Sequence, residues 1–179
     1  AASMGGGKWT SANQALGIAN AAKLLGGAGV NTWWMDAGYN TGGFPNGQGN
    51  WTADCARFTD CSMASIGVAA KAAGFRFLVW FEPERVMPGT VLAAKPAAWL
   101  SPPPVGGGVP FYKLLNYGNP EALAYAKATL TQLLQEWGVD IYRQDFNMMP
   151  SFYCAAHDAQ NGPGRVGIAE LQHIEGLYS

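Results

Sequence analysis

The chain has 179 residues, 49% hydrophobic and only 13% charged, with a net charge of −1. That is enough sequence for one domain with a sizeable core, and the composition excludes a disordered segment. The near-zero charge gives no electrostatic case for nucleic acid or an anionic membrane as partner, and no apolar run approaches the roughly 20 residues of a membrane span.

Ala15, Ile18, Ala22 and Leu25 recur at spacings of three and four, which predicts a helix over 13–26 that Gly26-Gly27 ends. Residues 29–36 read as a buried strand with Thr32, Trp34 and Asp36 on one face, and Trp33 on the other as core. Residues 37–52 form a loop rich in Gly, Asn and Thr, too long for a mere connection. Ser62 is placed to cap a helix whose buried stripe is Met63, Ile66, Ala70 and Ala73, with Gly74 as its stop. The clearest strand is FRFLVWF, residues 75–81, which runs into Glu82-Pro83-Glu84-Arg85; Leu78, Trp80 and Glu82 share a face. Residues 88–110 are read as irregular, because SPPPVGGGVP forbids regular structure. Asn119-Pro120-Glu121 opens a helix with a cap, a proline in the first turn and an acid at the positive dipole end. Its stripe, Leu123, Ala126, Leu130, Leu133 and Trp137, runs to Gly138. An apolar strand over 139–146 follows, with Ile141, Arg143 and Asp145 on one face; then comes an irregular piece, and a last helix begins at Ile168.

Strands alternating with helices predict an α/β chain with a parallel sheet and right-handed crossovers. The strands ending at Asp36, Phe81 and Phe146 are expected to lie side by side in chain order. Their carboxyl ends would then bring Asp36, Trp80, Glu82, Glu84, Arg143, Asp145 and Asn147 to one rim, where such folds place their sites. No secretory leader is read in the first residues. Cys55 and Cys61, six apart in a loop-like stretch, leave a small disulfide and free thiols equally open, with Cys154 left over in the first case.

Two readings of the Arg143/Asp145 pair are open. It is a structural ion pair at a strand end, or Asp145 is an ionised carboxylate held ready, with Arg143 favouring its charged form. The rim suits sugar hydrolysis: a carboxylate attacks an anomeric carbon, an aromatic ring such as Trp80 stacks on a pyranose, and other acids accept hydrogen bonds from hydroxyls. A carboxylate rim also suits a divalent cation, but Trp80 and Arg143 crowd that face and the guanidinium competes with a metal. GGGKW at residues 5–9 lacks the leading Gly and the Ser/Thr of a phosphate loop. His157 and His173 are too few and too far apart for zinc, and neither pairs with a Ser or Cys nucleophile. No cofactor and no metal are expected.

WWMDAGY (residues 33–39), GNW (49–51), LVWFEPERV (78–86), LLNYGNPEA (114–122) and DIYRQDFN (140–147) together resemble glycoside hydrolase family 36, the α-galactosidases and their raffinose-synthase relatives. Order, spacing and strand-end placement agree over nearly the whole chain, and WFEPERV followed roughly sixty residues later by RQDFN is a specific signal. The resemblance implies a (β/α)8 barrel, of which residues 1–179 would be a single partial catalytic domain, from about strand 2 to helix 4. It implies a retaining exo-α-glycosidase, an α-galactosidase in the first instance, acting on α-galactoside oligosaccharides or glycosides. By position, Asp145 matches the family's nucleophile, Arg143 replaces the Lys of its K-W-D-x-N segment, and Asn147 matches its Asn. Asp36 matches an acid that binds sugar hydroxyls, Trp80 a wall of the sugar pocket, and Glu82 joins them as a sugar contact. The chain departs from the family in having Asp36-Ala37 where two adjacent acids are usual. The family's general acid/base belongs to a later strand, beyond Ser179, so these residues alone are expected to be inactive. If they did hydrolyse glycosides, Glu82, Glu84 or Asp158 would be the acid. A transglycosidase and a non-catalytic carbohydrate-binding relative share the same residues.

Overall fold

The computed structural model describes residues 9–103, 112–145, 147, 149–160 and 162–179. In chain order the elements are α1 (Ser11–Leu25), β1 (Thr32–Met35), α2 (Ala64–Ala72), β2 (Arg76–Phe81), β3 (Arg85–Val86), β4 (Leu100–Ser101), β5 (Lys113–Leu115), α3 (Pro120–Trp137), β6 (Ile141–Gln144), α4 (Pro150–Gln160) and α5 (Ile168–Leu177). They fall into two compact units: Ala1–Gly47, Trp51–Phe81 and Leu130–Asp145 in the first; Gln48–Asn50, Glu82–Thr129 and Phe146–Ser179 in the second.

The first unit holds a parallel three-stranded sheet in the order β1-β2-β6, as the alternation predicts. Register pairs Trp34 with Leu78 and Leu78 with Ile141, then Trp80 with Arg143. One face of this sheet carries Met35, Phe77, Val79 and Phe81, all buried. α2 comes so close to this face that a Cβ at Gly67 would run into the Trp137 carbonyl and the Phe77 ring, so only glycine fits there. Phe81 stacks on Trp137 at the end of α3, with ring centroids 6.0 Å apart. Trp33 donates its indole N–H to Gln14 of α1 at 3.1 Å. The opposite face, with Trp34, Leu78, Trp80, Ile141 and Arg143, is the one that leads to the polar strand ends. Trp34 is 51% exposed there.

The helix starts follow local chemistry. The Asn119 side-chain oxygen accepts the N–H groups of Glu121 and Ala122, with Pro120 as first helical residue, where its missing N–H costs nothing. Ser62 accepts the N–H of Ala64 at 3.1 Å, although Met63 is the capping position.

In the second unit β3, β5 and β4 form a small antiparallel sheet that the sequence reading lacks. Part of the 88–110 stretch is therefore ordered: two short 3-10 turns, Leu92–Ala94 and Ala97–Trp99, lead into β4, while residues 104–110 lie outside the described residues. Strands of two and three residues are too short for alternation to show. The irregular piece after Asp145 is corrected as well, since α4 occupies Pro150–Gln160. Its buried side, Pro150, Tyr153, Cys154 and Asp158, has helical spacing, and Pro150 stands at the first helical position. Leu114, Tyr153, Cys154 and Ala169 make this unit's core. The Asp158 carboxylate accepts the N–H groups of Gly167 and Ala169 at 2.7 and 3.0 Å and so fastens the start of α5.

Of the two cysteine readings, the disulfide holds: Cys55 is bonded to Cys61. Cys154 is free and buried, and burial first, then Glu170, Asp158 and Glu84, push its thiol up to about 12. It is a core residue, not a nucleophile.

Candidate active site

Asp145 follows directly on β6, and its N–H still donates to the Phe81 carbonyl at 2.8 Å, so its backbone is held in the sheet. Its side chain projects on the Arg143 face and keeps 28% of its surface exposed. Oδ2 accepts the indole N–H of Trp80 at 2.9 Å. Oδ1 lies 3.2 Å from Nη1 of Arg143, close in charge but off the axis of a hydrogen bond. The carboxylate thus has one oxygen fixed by a neutral donor and the other beside a cation. That arrangement stabilises an anion without covering it.

Trp80 is 3% exposed, held between this bond and an edge-to-face contact with the Phe44 ring, with centroids 5.8 Å apart. Its indole is a fixed donor and wall, more deeply set than an open stacking platform. Arg143 lies over the exposed Trp34 ring, its guanidinium carbon 5.6 Å from the centroid, a cation–π contact that sets its direction. Asp36 follows directly on β1, and continuing the register of β1 with β2 places it beside Trp80. Its Oδ1 accepts the N–H of Ala37 at 2.7 Å, and the residue is half-buried at the strand end. Asp36, Trp80, Arg143 and Asp145 are therefore grouped at the carboxyl ends of three adjacent parallel strands.

Glu82 and Asn147 belong to the second unit. Glu82 is 1% exposed and its carboxylate pairs with Arg85 at 2.8 Å. Arg85 lies in turn over the Tyr112 ring at 4.7 Å. Glu84, also 1% exposed, meets Nε2 of His173 at 2.7 Å, while Nδ1 of His173 accepts the Tyr117 N–H at 3.3 Å. Burial raises the Glu84 carboxyl above its ordinary value, with the His173 contact opposing it. Asn147 is exposed.

Trp34, also at this site, was legible, since alternation puts it on the Asp36 face. Phe44 was not, because nothing in a glycine-rich loop says where its ring will land. Among the described residues no three His, Cys, Asp or Glu side chains come close enough to hold a metal ion, and no helix is long and apolar enough to cross a membrane.

A family model described as Melibiase matches residues 11–163. The fold is similar to that of the α-galactosidase from Lactobacillus brevis, with TM-score 0.73 and 22% identity over 95% of this chain and 22% of that one. It is also similar to the α-galactosidase AgaB from Geobacillus stearothermophilus, with TM-score 0.70 and 19% identity over 90% of this chain and 22% of that one. A third likeness is to the α-galactosidase from Thermus thermophilus in complex with p-nitrophenyl α-D-galactopyranoside, with TM-score 0.62 and 22% identity over 93% and 33% of the two chains. The chain thus spans between about a fifth and a third of the length of these proteins. No protein of curated function matches it.

Proposed function

Since the chain belongs to the Melibiase family, we propose that it carries the nucleophile strand end of a retaining α-galactosidase-type glycoside hydrolase, as one stretch of a (β/α)8 barrel. The observation that carries this reading is the Asp145 carboxylate, anchored at one oxygen by Trp80, flanked at the other by Arg143, and still open to solvent. In the first step an Asp145 oxygen attacks the anomeric carbon and the bond to the leaving oxygen breaks. Net inversion gives a β-glycosyl ester. A general acid protonates the departing oxygen. In the second step water attacks the same carbon, gives up a proton and releases Asp145 as carboxylate. Asp36 accepts hydrogen bonds from sugar hydroxyls, Arg143 donates to one, and Trp80 walls the sugar. Asn147, matched to the family's Asn, and Glu82, which shares a strand face with Trp80, are further candidates for contacts to the sugar; the buried pair with Arg85 supports a fastening role for Glu82 instead. The substrate class is an α-galactoside, the same class as the p-nitrophenyl α-D-galactopyranoside bound by the Thermus thermophilus protein.

The same pattern puts the general acid on a later strand. These 179 residues alone should then turn over aryl α-galactosides about a hundred- to ten-thousandfold more slowly than the whole protein. The deciding experiment is trapping of the whole protein with a fluorinated α-galactosyl substrate, followed by peptide mapping. The label is expected on Asp145; a label on any other carboxylate overturns the assignment.

A further inference from the structure

We propose that Arg57 is the positioning residue for Asp36, gripping the loop after β1 from within a turn that the Cys55–Cys61 disulfide closes. This rests on the role given to Asp36 above. Nη2 of Arg57 donates to the carbonyls of Gly38 at 2.7 Å and Asn40 at 3.3 Å, and Nε donates to Asp54 Oδ2 at 2.8 Å. The Gly38 carbonyl is only two residues past Asp36, and Gly38 has φ 98°, a conformation that side-chain-bearing residues resist. Arg57 therefore fixes the backbone at the point where the chain leaves the strand. The guanidinium also lies over the Phe58 ring, 5.3 Å from its centroid, and keeps only 14% of its surface exposed.

The turn that presents Arg57 is itself tied down. Its carbonyl accepts the Ser11 N–H at the start of α1, its N–H donates to the Asp54 carbonyl, and the disulfide six residues long encloses it. Ring closure removes the alternatives such a surface turn would otherwise sample. On the loop's own side the ties include Asp54 N–H to Tyr39 carbonyl at 3.0 Å, Thr41 N–H to Thr52 carbonyl at 3.3 Å, and the Asn40 side-chain amide to the Gly47 carbonyl at 2.6 Å. Between the two segments lies a groove of about 510 Å³, lined by Gly38, Gly42, Gly43, Phe44, Asp54 and Arg57 among others. The same loop carries Phe44, whose ring makes an edge-to-face contact with Trp80. Arg57 thus fixes the start of the loop that joins Asp36 to the ring that buttresses Trp80. A lysine can do this only in part, because three acceptors on two segments are best met by a planar fork of donors.

The test compares Arg57→Gln, Arg57→Lys and the double variant Cys55→Ser/Cys61→Ser in the whole protein. With an α-galactoside substrate, Arg57→Gln should raise KM on the order of ten- to a hundredfold and leave kcat within about threefold, as expected when charge-assisted bonds that orient a binding group are lost. Arg57→Lys should recover part of the KM, and the double cysteine variant should fall between wild type and Arg57→Gln. Amide hydrogen exchange at residues 37–40 should speed up in the same variants while exchange in β2 stays as it is. Unchanged KM, or exchange that rises equally in loop and strand, overturns the proposal. Asp145→Asn serves as control: if it keeps full turnover, the catalytic reading has failed, and the exchange data alone then judge the grip of Arg57 on the loop.

Discussion

Asp145 in the first unit and Glu82 and Glu84 in the second are all carboxylates next to nitrogen donors, yet they differ in how much water reaches them. Asp145 keeps 28% of its side chain exposed, while the two glutamates keep 1% each. Taking a carboxylate out of water costs several kcal/mol, which a good partner offsets only while it is present. The glutamates are in that position, with Arg85 and His173 as their respective partners. They bind one part of the second unit to another: Glu84 reaches α5, and Glu82 holds the guanidinium that lies over Tyr112. Asp145 has its direction set by Trp80 and Arg143 but retains an open side. Burial separates an acid that fastens from an acid that can meet a ligand, and residue type alone does not.

The sharpest way to break this contrast is Asp145→Asn. The amide oxygen can still accept the Trp80 N–H, and the Arg143 contact is half-exposed, so thermal stability should change by less than about 1 kcal/mol. Turnover by the whole protein should fall at least about a thousandfold. A large loss of stability with normal turnover would make Asp145 a structural residue and reverse the comparison.

Next in size is Glu82→Ala, which leaves the Arg85 guanidinium buried without its carboxylate. The expected cost is about 3 kcal/mol in chemical denaturation, towards the lower end of the range for breaking a buried pair because Tyr112 still faces the cation. A cost below about 1 kcal/mol would show that the pair is solvated in solution.

How much of this was legible beforehand follows the same line. The parallel sheet and its chain order came from long periodic stretches: the stripe of Leu123, Ala126, Leu130, Leu133 and Trp137, and the apolar run FRFLVWF. The alternation of Trp34 with Asp36 and of Arg143 with Asp145 carried their shared face directly. What did not show were β3, β4 and β5, whose pairing partners are distant in sequence and too short for any period. The partners of Glu82 and Glu84 were equally hidden. Arg85 is a near neighbour, but His173 lies 89 residues away, and nothing local couples them. The disulfide stayed open because spacing permits it without requiring it.

Glu84→Gln tests the fastening role more gently. The amide oxygen can still accept from Nε2 of His173 if that nitrogen carries the proton, which the Tyr117 N–H at Nδ1 favours. Burial, opposed by His173, raises the Glu84 carboxyl, so the folded state holds its proton more readily than the unfolded chain does. The contribution of Glu84 to stability is therefore best below the unfolded value and declines as pH rises through the folded one. Glutamine lacks that penalty. At pH 7 the variant should be within about 1 kcal/mol of wild type, and wild type should gain relative to it on acidification. A wild type that loses ground to the variant as pH falls would contradict the raised value.

The smallest effect is at Asp54, where the sign is the opposite. Its hydrogen bond from Arg57, first, and then the Ala56 N–H and the Arg57 charge, hold the carboxyl below its ordinary value against a contribution from burial that raises it. A depressed folded value means the unfolded chain takes up the proton first. The stability Asp54 supplies is then complete above the unfolded value of about 3.9 and disappears as pH falls through the folded one. Melting curves of wild type and Asp54→Asn should thus run a constant distance apart from about pH 7 to pH 5 and converge below about pH 4. Because the pair is partly exposed, added salt should narrow the gap at neutral pH. A gap that persists undiminished to pH 2 would mean that Asp54 acts through the shape of its turn and not through its charge, and would leave Arg57 gripping the Gly38 and Asn40 carbonyls without help from a neighbouring anion.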